Sequence, residues 1–167
     1  MGTVDQEQVV QALICAAQGL SAPEIMRLLS RKVSQPTLWR VLNQLRAEGR
    51  IVVEGSARGT RYHSMERGAL PALRSLRLHE AIARRLIRDP SVLDIARDRL
   101  KRLRQVNPNG RPYHDRWAEL IAGPRANLLR TLTEPSQEAA ALRKESPFTV
   151  LVPKDERRRI FERFRAV

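Results

Sequence analysis

The chain has 167 residues, with 31 Lys and Arg against 18 Asp and Glu, for a formal charge of +13 at pH 7. A hydrophobic content of 42% supports packed cores and excludes wholesale disorder, while no apolar run nears the roughly 20 residues that a membrane-spanning helix needs. The single cysteine, Cys15, cannot close an internal disulfide, and no Cys/His cluster has zinc-ligand spacing, so neither a metal nor another cofactor is expected.

Such a charge favours a polyanionic partner but does not specify a fold. The sequence does not open on a basic-then-apolar leader, and the expected location is the cytoplasm, near the nucleoid. Residues 1–65 hold 8 bases and 5 acids, yet from Arg31 to Met65 the count is 7 against 2. A localised excess of this kind is what docking on nucleic acid requires.

Asp5 to Gln18 reads as a helix, with Val9, Val10, Leu13, Ile14 and Ala17 on one face and Gly19 as its stop. Ser21, Pro23 and Glu24 form a complete start signal for a second helix, a Ser-x-x-Glu capping box with proline in the first turn. It ends near Ser30 and turns Ile25, Leu28 and Leu29 inward. A third helix starts at Ser34 as N-cap, with Pro36 in its first turn, and stops at Gly49. Leu38, Val41, Leu42 and Leu45 fall at i, i+3, i+4 and i+7, one apolar stripe. The opposite face holds Pro36, Arg40, Asn43 and Ala47, flanked by Gln35, Thr37 and Gln44. Residues 50–54 switch to β-branched strand character, Gly55 to Gly59 is a turn, and Thr60 to His63 returns as a second strand.

The pieces Ser21-Ala22-Pro23-Glu24-Ile25, Gln35 through Leu45, Glu48-Gly49-Arg50-Ile51 and Gly55 through Tyr62 resemble a winged helix-turn-helix DNA-binding domain. The resemblance covers about the first two fifths of the chain. It implies that the third helix enters the major groove of double-stranded DNA while the hairpin, the wing, lies on the backbone. Arg40 then suits guanine O6/N7, and Asn43 or Gln44 suits adenine N6/N7. Ser34, Gln35 and Thr37 suit phosphates or thymine methyls near the helix start. Arg58 and Arg61, with Thr60 between them, are expected to clamp phosphates or probe a minor groove, and Tyr62 to anchor the wing root with its hydroxyl toward the backbone. Trp39, at the border of the apolar stripe, is expected to pack against the wing rather than stack on a base.

Beyond residue 65 the pattern is helical: an amphipathic stretch from about Ala69 to Arg88 that carries Leu73, Leu76, Ile82, Leu86 and Ile87, then Val92 to Val106 after the Asp89-Pro90 break. Residues 107–112 are the strongest loop signal. Short helices are expected over 113–122, 124–132 and 136–144, with a last one over 155–164. The tail from Ser146 through Phe161 resembles the end of some antitoxins encoded beside a toxin. That likeness implies Phe148, Leu151, Ile160 and Phe161 as partner-binding residues; their packing reading is as anchors folding the tail onto its own core. The tail here is basic, whereas such tails are often acidic.

The expected class is therefore mainly α with a small β-hairpin wing, in two domains, 1–65 for DNA and 66–167 for dimerisation or a partner. The three histidines, His63, His79 and His114, lack ligand partners at helical spacing, and no phosphate-loop signature occurs, so catalysis is not expected. The function read from the sequence is a DNA-binding transcriptional regulator, a repressor acting as a homodimer. The alternatives are an antitoxin-like protein with a nearby-encoded toxin as partner, and a non-specific basic nucleic-acid-binding protein.

Overall fold

The structure, a computed structural model, describes residues 6–16, 18–30, 32–65 and 69–165; Asp5, Ala17 and Arg31 lie outside them. It is mainly α-helical with a small antiparallel sheet, and the order of its first elements is compatible with a winged helix. The chain divides into two compact units, residues 1–71 with 161–167, and residues 72–160.

In the first unit α1 (Gln6–Ile14), α2 (Ala22–Leu28) and α3 (Gln35–Ala47) precede β1 (Ile51–Glu54) and β2 (Arg61–Ser64). Val9, Val10, Leu13, Ile25, Leu38, Leu42 and Leu45 form one cluster with Ile51, Val53 and Tyr62. Burying each of these leucines contributes about 1.5–3 kcal/mol. Two expected core residues are outside it: Ile14 is 38% exposed and Leu28 61% exposed. α1 ends at Ile14, and in the two-turn α2 the i, i+4 pair Ile25 and Leu29 faces inward, which turns Leu28 out. The start of α2 is fixed by Glu24, whose carboxylate accepts from Ser21 N at 2.8 Å and from Ser21 Oγ at 2.6 Å.

Between the strands the register pairs Ile51 with Ser64 and Glu54 with Arg61. A third strand, β3 (Phe164–Arg165), sits on the other edge of β1, giving the order β2-β1-β3. The last helix therefore stops at Glu162, short of the expected Phe164. Its continuation as strand satisfies the backbone of an otherwise open edge: Gly55 N donates to Arg163 O at 3.0 Å, and Phe164 is buried beside the His63 ring. His63 and Glu54 form a buried pair at 2.9 Å. Gly19 lies under that imidazole; at φ +69°, its Cβ position falls 2.5 Å from the ring.

The second unit contains most of α4 (Ala69–Arg88), then α5 (Val92–Val106), α6 (Arg111–Ala122), α7 (Arg125–Thr133), α8 (Gln137–Lys144) and most of α9 (Lys154–Glu162). Leu76, Ile82, Leu86, Ala96, Leu100, Trp117, Leu128, Leu132 and Phe148 are buried, whereas Ile87 is 61% exposed. Trp117 and Phe148 meet edge to face at 5.5 Å, and the indole N–H donates to Leu142 O at 2.9 Å. The expected loop at 107–112 is a short 3-10 turn over Pro108–Gly110 running into α6, because Pro112 occupies the first helical turn, where its missing N–H costs nothing. All three histidines are buried packing residues.

Candidate nucleic-acid interface

Gln35, Trp39, Leu42 and Arg46 recur at i, i+4, i+7 and i+11, so they form one row along α3. With Asn43, with Ser21 and Pro23 at the start of α2, and with Ala57, Arg58, Thr60 and Tyr62 of the hairpin, that row lines a groove of about 620 Å³. The groove lies wholly within the first unit. Its hairpin wall is closed by a tight tip: Gly55 has φ +78° and Ala57 φ 49°, and a Cβ on Gly55 would stand 2.6 Å from Gly59 O.

The site residues expected from the sequence fall into three groups. Gln35, Asn43, Arg58, Thr60 and Tyr62 come together around the groove. Arg40 is exposed on the free face of α3, and neither it nor Arg58 has a hydrogen-bond or ion-pair partner among the described residues. Ser34, Thr37, Gln44 and Arg61 do not line the groove, and each has an internal bond. Ser34 Oγ caps α3, accepting from Thr37 N at 3.4 Å and lying 2.7 Å from Thr37 Oγ1. Gln44 Nε2 donates to Glu48 at 3.0 Å. The Arg61 guanidinium donates to Gly19 O at 2.8 Å and lies 3.5 Å from the Glu24 carboxylate. Hydrogen bonds from Ser21, with Arg61 and Arg27 nearby, hold the Glu24 carboxyl below its ordinary range.

Tyr62 is a buried anchor, opposite Val53 in the register and bridged to Leu20. Burial raises the pKa of its phenol, so the hydroxyl remains a proton donor at neutral pH. Two groove residues were not legible as site residues. Trp39 is 49% exposed on the groove wall, and Arg46 reaches the groove near Tyr62 with its Nε cut off from solvent. Their shared row with Gln35 is visible in the spacing, but only the position of the hairpin makes that row a wall.

The tail residues are placed differently. Phe148, Leu151 and Ile160 are buried and Phe161 is half-buried, so the chain packs them into itself.

Each unit pairs some of its surface bases with carboxylates and leaves others unpaired. In the second, Arg97, Lys101, Arg104, Arg116 and Arg158 each lie within 3.3 Å of a carboxylate, of Asp94, Asp98, Asp115, Glu119 and Asp155 respectively. Arg40, Arg46 and Arg58 in the first unit have no such neutralising partner among the described residues.

No family model, curated protein or solved structure matches the chain. Among the described residues no group of His, Cys, Asp and Glu is placed to hold a metal ion, and no helix is long and apolar enough to cross a membrane. The site rests on its own geometry: an exposed helix face with hydrogen-bonding side chains, a basic hairpin tip, and a groove between them.

Proposed function

We propose that this chain is a sequence-specific, double-stranded DNA-binding transcriptional regulator of the winged helix-turn-helix type, acting as a repressor. α3 reads the major groove, which is about 12 Å wide and admits one helix, and the hairpin holds the sugar-phosphate backbone beside it. The observation that carries the reading is the free face of α3, where Arg40 and Asn43 are both exposed and Asn43 lines the same groove as the unpaired Arg58 of the hairpin tip. Both are residue types that pair with base edges in a bidentate manner. Two copies reading two half-sites would give the affinity that a single short reading helix lacks.

Footprinting on the DNA upstream of the chain's own coding sequence tests this. A regulator protects two half-sites about one helical turn apart. Arg40→Ala with Asn43→Ala then erases the footprint, a loss of about 1–3 kcal/mol per base contact, and leaves salt-dependent background binding. A featureless ladder with the wild-type chain would instead support the non-specific basic binder.

A further inference from the structure

We propose that one strand of the bound duplex runs along the groove between α3 and the hairpin, with a phosphate held by Arg46 and the Tyr62 hydroxyl and a deoxyribose packed on the Trp39 indole. The inference rests on the duplex-binding reading and names the part of the site that supplies affinity without sequence preference.

The geometric reason is general. A helix in the major groove, with a hairpin reaching toward the neighbouring minor groove, straddles the one strand that separates those grooves. In this chain the space between them is the groove of about 620 Å³. Its walls carry what such a strand needs. Arg46 faces it without a carboxylate or carbonyl partner among the described residues, and its Nε is desolvated. A guanidinium in that state gains most from an anion with two oxygens at fork spacing, which a phosphodiester provides. Tyr62, on the hairpin wall, adds a neutral hydroxyl donor to the same groove. Trp39 is a rigid ring left 49% exposed, suited to the C–H face of a sugar. Arg61, by contrast, is already held by Gly19 O and Glu24, so the hairpin arginine that looks like a phosphate clamp in the sequence is a structural one.

Fluorescence anisotropy of the full chain with a short mixed-sequence duplex, titrated over salt, tests the assignment. Each phosphate contact contributes about 0.9 to the slope of log K against log salt. Arg46→Gln is expected to lower that slope by about 0.9, and Arg61→Gln to leave it unchanged while lowering the unfolding midpoint. A second measurement needs no variant that must fold. Trp117 is fully buried, so acrylamide quenching reports Trp39, and saturating duplex should shield it. An unchanged slope in Arg46→Gln, or a Trp39 as quenchable with duplex as without, overturns the groove assignment while duplex binding stands. A single-stranded oligomer shielding Trp39 more than the duplex does also overturns it. A wild-type chain that binds no duplex at low salt overturns both readings.

Discussion

At the scale of single residues, two glycines with the same backbone angle separate conformational strain from steric fit. Gly19 and Gly49 both have φ +69°, but a Cβ on Gly19 would meet the His63 ring at 2.5–2.8 Å, whereas Gly49 has nothing within 4 Å. Gly49→Ala is expected to cost about 1 kcal/mol, the left-handed backbone term alone. Gly19→Ala adds overpacking and should cost about 2–4 kcal/mol. Urea unfolding followed by circular dichroism measures the difference; equal midpoints would mean that His63 swings away freely. His79 carries a pH prediction. Burial, reinforced by nearby Arg143 and Arg157 and opposed by the bond from Nδ1 to Ser75 O, pushes its pKa from 6.5 down to about 4. The folded chain keeps this imidazole neutral, and the unfolded chain takes up the proton first. The contribution to stability is therefore full above pH 6.5 and lost as the pH falls from there to about 4, by on the order of 3 kcal/mol. His79→Gln should flatten that part of the stability profile.

At the scale of elements, α3 and the sheet depend on different devices. Ser34→Ala removes the cap of α3 and should cost about 1 kcal/mol, with a parallel loss of duplex affinity because the reading helix frays at its start. A Ser34→Asp variant that regains the stability without the affinity would separate capping from DNA contact. The sheet depends on the far end of the chain. Phe164 is 4% exposed, lies beside His63 and sits in a strand that closes the edge of β1, so Phe164→Ala should cost about 3 kcal/mol. Amide exchange at Gly55, whose N–H donates to Arg163 O on that edge, is the direct readout. The element boundaries legible beforehand were those with local causes, such as the proline and cap signals opening α2 and α3 and the Asp89-Pro90 break after α4. β3 was not legible, because a two-residue strand has no periodicity of its own and exists only where β1 offers an edge.

At the scale of the molecule, the charge of +13 raises the question of whether total or local charge sets nucleic-acid affinity. Arg40→Gln with Arg58→Gln and Arg88→Gln with Arg102→Gln both remove two exposed cations, the first pair in the candidate interface and the second in the helical unit. Total charge as the driver predicts equal losses in salt slope. The site geometry predicts a loss of about 0.9 for the first pair, from the phosphate contact of Arg58, and little for the second. Binding isotherms over a salt series decide between them.

The sequence by itself determined what local rules govern: which segments are helical, where caps and prolines bound them, that a hairpin comes after α3, and that Arg40 and Asn43 share its free face. Those properties depend on neighbours a few residues away. Only the tertiary structure decided which polar side chains stay free and which are bound inside. Arg61 is taken by a carbonyl 42 positions earlier, Trp39 and Arg46 become a groove wall once the hairpin stands opposite, and Phe148 and Ile160 are drawn into the chain's own interior. Burial and hydrogen-bond satisfaction depend on contacts between distant segments, and no spacing along the chain encodes which of two equally polar arginines will meet one.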